Sequence, residues 1–438
     1  MWRTRSVWLL LLCATGAAAV CDLRIGEPKP IVVKKFGSKT AVVKRSLTDI
    51  QLSPNESITF HCPTGISVSQ SSGQPVKINA DTAELLCTND GIYLDERQII
   101  QHRSSATVYC SGGFTQTLYE SNRQLRGCPA ADAMTLIIGY KLNGLPDVKQ
   151  LGICYDLGTS RPRFVSYLAY APRNALLERQ TGQELDRLKL DTYLGSLSKY
   201  FRFPTNSDFQ QMVGNQKQLG QLYDGKLFEY GSLLQEPQLS KELSSYADML
   251  SIVWLRALRT GNWQHWLDAL RSANGYTDAA AAAAPAPGAG TSCSRQFDVR
   301  LGVSGVATLP IAESCNASRS LLLLDSAGNG MPVPAHIWAH VRALHPTGTT
   351  ADEFVVVAHN SPYYSVAELG SFCADICAEI PWLRESLFGQ LHLVPQYGVV
   401  NCCRMDQLQK LVDFSSPAAA AAAATPTAAT PPIPTLKP

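Results

Sequence analysis

An α+β fold is predicted for this chain, with a small disulfide-rich β module ahead of a larger core built from strands and helices. Three observations predict it. Short β-rich runs bounded by turn residues recur between residues 21 and 170 and again between 296 and 358. One clear helical stripe stands between them, where Trp263, Trp266, Leu267 and Leu270 fall at i, i+3, i+4 and i+7. Cys13 apart, the cysteines divide into two even sets, six before residue 160 and six after residue 290.

Residues 1–19 read as an export signal. Arg3 and Arg5 supply its charged region, Val7 to Leu12 start its apolar core, and Ala17 and Ala19 fit a small-x-small cleavage site. Nothing later reaches the roughly 18 uninterrupted apolar residues of a membrane span, so a soluble, secreted protein with no membrane partner is expected. Residues 20–130 form the β module. Within it Ile31-Val32-Val33, Ser57 to Cys62 and Ala106 to Cys110 are β-rich, and Asn89-Asp90-Gly91 signals a turn. Residues 131–415 form the core. Thr135 to Tyr140, Leu151 to Asp156 and Phe164 to Tyr170 read as paired strands, the first two joined by a turn at Asn143-Gly144. Residues 174–250, richer in Leu, Gln and Glu, read as helices and loops, and residues 262–274 as a helix. Residues 279–290, AAAAAAPAPGAG, are a low-complexity insert. Strands resume at Gln296 to Leu301, Ser320 to Leu324 and Phe354 to Ala358. Residues 416–438, mostly Ala, Thr and Pro, read as a disordered tail.

Of 13 cysteines, Cys13 leaves with the signal. The rest are Cys21, Cys62, Cys87, Cys110, Cys128, Cys154, Cys293, Cys315, Cys373, Cys377, Cys402 and Cys403. An even set in an exported chain implies disulfides, whose pairing the spacing does not fix. Cys373-x-x-x-Cys377 and Cys402-Cys403 would suggest metal in a reducing cell; in the secretory pathway they point to disulfides. Asn55-Glu56-Ser57 and Asn316-Ala317-Ser318 are glycosylation acceptors. The net charge is +2, from 38 basic and 36 acidic residues, and removing Arg3 and Arg5 leaves 36 against 36. Such a balance argues against an unaided grip on a polyanion. The basic cluster Lys29, Lys34, Lys35, Lys39, Lys44 and Arg45 either faces phosphate or guards exposed strands. No Gly-x-Ser-x-Gly, P-loop or dinucleotide fingerprint is present. His336-x-x-x-His340 has metal-ligand spacing for a helix but sits where a strand is expected.

Lys226 to Arg271 is the most informative stretch. It contains Tyr230-Gly231-Ser232-Leu233, then Leu250-Ser251-Ile252-Val253-Trp254, then Arg259-Thr260-Gly261-Asn262-Trp263. This frame resembles the DNA/RNA non-specific endonuclease family, the ββα-metal nuclease fold, and within it the secreted arthropod members that degrade double-stranded RNA. Family members carry Arg-Gly-His-Leu, Asn-x-x-Pro-Gln and Asn-x-Gly-Asn-Trp at these places. The resemblance covers roughly residues 130–405. It includes Pro332 to Trp338, similar to a family Pro-x-Pro strand, and the cysteines from Cys373 to Cys403. It implies a ββα-metal core with a mixed sheet and helices.

The resemblance also implies a mechanism: a His takes a proton from water, an Asn-held divalent metal stabilises the phosphate, and Arg and Glu residues anchor both. Here the His position is Ser232, the Arg position Tyr230, and the metal-binding Asn position Arg259. The acidic position on the next helix falls near Leu267, beside Asp268, and Arg271 matches a family arginine. A hydroxyl without its own base takes no proton near neutral pH, and losing a general base costs ~10² to 10⁴ in rate. Arg259 puts a fixed positive charge where a cation should sit. It either holds a phosphate in the metal's stead or caps a loop.

The expectation is a secreted endonuclease-like protein that is catalytically inactive and needs no cofactor. Its remaining partner is DNA or RNA, with Arg259, Arg271 and Asn262 as contact candidates. Two alternatives stay open: an active endonuclease using Mg²⁺, and an extracellular interaction protein with no nucleic-acid role.

Overall fold

The computed structural model describes residues 21–36, 39–43, 48–69, 74–94, 98–101, 105–129, 131–142, 147–159, 161–170, 183–195, 197–199, 202–216, 226–275, 295–311, 314–325, 330–363 and 373–410. The export signal, the Asn143-Gly144 turn, Cys293, the 279–290 insert and the tail lie outside these.

The chain divides into two compact units, the first running to Thr115 and the second beginning at Gln116. In the first, a five-stranded sheet has the order Asp49–Leu52, Cys21–Ile25, Ser105–Cys110, Ile66–Ser69, Val76–Ile78. Cys21–Ile25 alternates buried and exposed residues, as a strand with one covered face must. It pairs parallel with Ser105–Cys110 and antiparallel with Asp49–Leu52. A six-stranded sheet has the order Gln98–Gln101, Ile92–Leu94, Thr82–Cys87, Ser57–His61, Ile31–Phe36, Lys39–Val43. Leu23, Val32, Phe60, Val68, Leu85 and Val108 form one buried cluster from both sheets. Cys21–Cys87 and Cys62–Cys110 are disulfides. The β-rich runs and the Asn89-Asp90-Gly91 turn fall where the sequence puts them. Asn55 is exposed at a turn, in the left-handed region with φ 67°. Of the basic cluster, Lys34 does not face solvent, and the side chains of Lys35, Lys39, Lys44 and Arg45 lie outside the described residues. The Lys34 side chain is buried and ion-paired with Glu56, which holds it in the sheet.

The second unit is built on a nine-stranded sheet. Its order is Thr192–Gly195, Thr117–Glu120, Ala133–Tyr140, Val148–Asp156, Arg161–Ala169, Phe297–Val306, Pro334–Ala343, Glu353–His359, Val400–Cys403. Every neighbouring pair is antiparallel, so this core sheet is not mixed as expected. Side chains alternate between its faces. Leu136, Ile138, Val165, Val299, Val341 and Val356 join a core that includes the helix Asn262–Ala273. Ile137, Phe164, Trp338, Val355 and Val357 join a second core with Leu125, Leu185 and Leu188. The unit starts earlier than residue 131. Thr117–Glu120 is one of its strands, and Cys128 bonds Cys154.

Cys373–Cys403 and Cys377–Cys402 brace the last strand, so the adjacent cysteines serve two bridges rather than a metal. No disulfide joins the early set to the late one among the described residues. Cys315 and Asn316 lie on the strand Ser314–Ser320. The helix over 262–274 is present, and Trp263, Trp266, Leu267 and Leu270 are all buried. Trp263 packs at 5.4 Å from Trp254 and 4.8 Å from Trp266, between ring centroids. Residues 174–250 are not wholly helix and loop, because Thr192–Gly195 and Phe228–Ser232 are strands. The latter has one buried residue followed by four half-buried ones, so it lacks the alternation that marks a strand. His336 and His340 lie on the strand Pro334–Ala343. Four residues of strand separate them by about 13 Å, too far to share an ion.

Candidate functional site

Phe228–Ser232 and Ser251–Leu255 form an isolated antiparallel pair, with Glu229 opposite Trp254, Tyr230 opposite Val253, Gly231 opposite Ile252 and Ser232 opposite Ser251. The second strand runs directly into a short helix, Arg256–Thr260, and then through Gly261 into Asn262–Ala273. Asn360, fully buried, fixes the pair to the central sheet. Its Oδ1 accepts from the Leu255 amide at 2.5 Å, and its Nδ2 donates to the carbonyls of Val253 and Pro334 at 2.9 Å.

The short helix turns Arg259 back over the first strand. Its Nη1 donates to Glu229 Oε1 at 2.9 Å, and Arg256 Nε lies 3.9 Å from Glu229 Oε2. The guanidinium covers Gly231: a Cβ placed there would stand 2.7 Å from Arg259 Cζ and 2.8 Å from both terminal nitrogens. The glycine lets the guanidinium lie this close; the backbone itself is unstrained. Trp254 Nε1 donates to the Gly231 carbonyl at 3.1 Å. Thus Arg259 neither caps a loop nor projects freely into solvent; it closes an ion pair across the hairpin.

Ser232 Oγ accepts a hydrogen bond from the Leu234 amide at 3.1 Å. No imidazole hydrogen-bonds to it among the described residues. Tyr230 stacks on Phe209 at 5.9 Å, and its hydroxyl donates to the Asp248 carbonyl at 3.4 Å. Burial, with the Asp248 and Asp208 charges and against the Arg161 guanidinium, pushes its phenol up to about 12, so it is neutral at physiological pH. Burial pushes Arg161 down, against the pull of Tyr230 and Tyr155. Arg161 reaches this neighbourhood from the central sheet, and local sequence gives no sign of it.

Asn262 serves the interior of the fold. It is fully buried, and its Nδ2 donates to the carbonyls of Leu391 at 2.6 Å and Gly398 at 2.5 Å. Gly261 has the same purpose, since a Cβ there would meet the Tyr397 carbonyl at 2.4 Å and the Ala257 carbonyl at 2.5 Å. Gly261-Asn262-Trp263 is therefore a packing clasp: close approach, two hydrogen bonds and a core tryptophan. Arg271 sits in the last turn of the helix, nine residues and about 13 Å along the axis from Asn262. Asp268 is exposed and accepts from Gln264 at 3.1 Å. The His265 ring meets Tyr397 edge-on at 6.0 Å.

Among the described residues the hairpin region presents no group of three candidate ligands. The carboxylate beside Arg259, Glu229, is shared by two arginines. Elsewhere Asp375, Cys377 and His392 bring candidate ligand atoms within 4.8 Å of one another. The Cys377 sulfur is bonded to Cys402, and Asp375 Oδ2 is hydrogen-bonded to His392 Nε2 at 3.0 Å, so these three are mutually satisfied. No described helix is long and apolar enough to cross a membrane. No family model matches the chain, and no curated protein matches it.

Proposed function

We propose that this is an exported protein of the ββα-metal endonuclease type that binds nucleic acid and does not hydrolyse it, with no cofactor at the old cleft. The Arg259–Glu229 pair carries the proposal. On the nuclease reading, a fixed guanidinium occupies the place of the metal-binding carboxamide, and its counter-charge comes from the protein. A divalent cation brought there would meet Arg259 before any ligand. Two further features support the same conclusion. Among the described residues no base is hydrogen-bonded to Ser232, and Tyr230 stays protonated. The strand pair leading directly into a helix that begins Gly-Asn-Trp supports the architectural half of the proposal.

Retained binding is favoured by one observation: Arg256 and Arg259 share a single carboxylate, and the Arg256 side chain is 56% exposed. Asp208 and Asp248 act on Tyr230 from its surroundings, so the surface is not uniformly positive. Binding should then be weak and steeply salt-dependent. Titration of labelled double-stranded RNA at several salt concentrations tests this. Each phosphate neutralised contributes a slope of about −0.9 in log K against log salt. We expect a slope near −2, reduced by about one unit in Arg256→Gln. No RNA binding at low salt would leave an extracellular interaction protein instead.

A further inference from the structure

The opposite face of the nine-stranded sheet holds a cavity of about 350 Å³ lined by Arg123, Gln124, Arg126, Glu184, Arg187 and Leu188. Leu125 and Leu188 belong to the core of that face, whereas the hairpin's Phe228 and Val253 belong to the other. The cavity is thus a separate site. Three guanidiniums border it and only one carboxylate. Among the described residues, none of the side chains of Arg123, Arg126 and Arg187 is ion-paired. Arg123 Nη1 donates to the Arg187 carbonyl at 2.9 Å, which holds two of the three together. Glu184 supplies a single negative charge against them, and it is divided: its Oε1 accepts from the Arg126 backbone amide at 2.8 Å, and its Oε2 faces the buried Arg300.

A fourth arginine lies beneath. Arg300, 4% exposed, donates from Nη2 to the Arg126 carbonyl at 2.5 Å, and its Nε is 3.9 Å from Glu184 Oε2. Its guanidinium carbon stands 4.1 Å over the Phe164 ring. Its Nε and Nη1 are buried with no hydrogen-bond partner. Buried donors left unmade are costly, and a buried charge calls for a counter-charge. Here the guanidiniums outnumber Glu184 beside a cavity at the small end of ligand-sized volumes.

We propose that this cavity binds the phosphoryl group of a small phosphorylated ligand. Planar guanidinium forks match phosphate oxygens two at a time, with charge assistance. The volume exceeds what a bare ion fills and is at the small end for a whole ligand. Arg126 and Arg187 supply the mobile forks from the rim, and both are exposed, so changing them leaves the core intact. Arg300 supplies fixed positive potential from below.

Calorimetric titration of the full chain with inorganic phosphate, a nucleoside 5′-monophosphate and the uncharged nucleoside tests the proposal. The expected result is one saturable site per chain for phosphate and for the monophosphate, and none for the nucleoside. Affinity should fall at least ~10-fold in Arg126→Gln/Arg187→Gln, with the circular dichroism spectrum unchanged. Loss of phosphate binding in Arg259→Gln together with unaltered binding in the double variant would place the site at the hairpin instead and overturn the proposal. Unaltered affinity in the double variant, no saturation by about 10 mM phosphate, or binding by RNA alone would each overturn it.

Discussion

Replacing Gly231 with alanine tests the geometry around Arg259 directly. A Cβ at this position would stand 2.7 to 2.8 Å from three atoms of the guanidinium. Those atoms end a flexible side chain, so Arg259 can swing away, and the cost is the loss of its 2.9 Å bond to Glu229. The Arg259 and Glu229 side chains are 29% and 24% exposed, between surface and interior. A pair in that setting contributes about 1 kcal/mol. Against this, Gly→Ala at an unstrained position stabilises by roughly 0.4–1 kcal/mol through the unfolded chain. Gly231→Ala alone should therefore be close to neutral. In an Arg259→Ala background the opposing loss is gone, and the same change should stabilise by roughly 0.4–1 kcal/mol. The cycle thus has a coupling of about 1 kcal/mol, readable by urea denaturation of the four proteins. A Glu229→Gln background should behave as Arg259→Ala does. Additivity within about 0.3 kcal/mol would show that the guanidinium does not rest on Gly231.

Asn262→Ala should cost about 2–4 kcal/mol, because it strips a buried and a part-buried carbonyl of their donor. It should leave RNA affinity of the folded protein unchanged; weakened binding without destabilisation would restore Asn262 as a contact residue. His336 makes stability fall with acid. Burial first, and then the neighbouring His359 charge, push it down to about 4 from an ordinary value of 6.5. The unfolded chain therefore takes up the proton first. The contribution is fully present above pH 6.5, declines as pH falls toward 4, and amounts to at most ~3 kcal/mol. His336→Gln should flatten urea midpoints across that window. His61 and His340 are shifted down by burial too, so the slope should shrink rather than vanish; an unchanged slope would remove His336 from the account.

Apolar periodicity made the strands and the long helix legible in the sequence. Trp263, Trp266, Leu267 and Leu270 sit where a helical stripe puts them, and Ile137 and Ile138 face opposite cores as strand alternation demands. The early six cysteines close their own three disulfides and four of the late six close two, as parity suggests, although Cys128 crosses the expected domain boundary because Thr117–Glu120 pairs with Ala133–Tyr140. The site was legible only in part. Arg259 stands out by its own chemistry, but Glu229 lies 30 residues earlier, and nothing local joins them. Their meeting depends on hairpin register and on a helix beginning directly after Leu255. Asn262 misled for the opposite reason. An amide in a motif suggests a ligand contact, whereas this one satisfies the backbone of a loop more than 120 residues away. The arginine cavity was invisible, because Arg123, Arg126, Arg187 and Arg300 converge through tertiary packing alone.

Absence of hydrolysis is the claim everything at the hairpin depends on. Purified protein should be incubated with double-stranded RNA and plasmid DNA in Mg²⁺ or Mn²⁺, beside a chelated control. The account predicts identical, intact substrate in all lanes. Metal-dependent shortening that disappears in Ser232→Ala would contradict it, because the serine would then be turning over a phosphodiester with no imidazole hydrogen-bonded to it among the described residues.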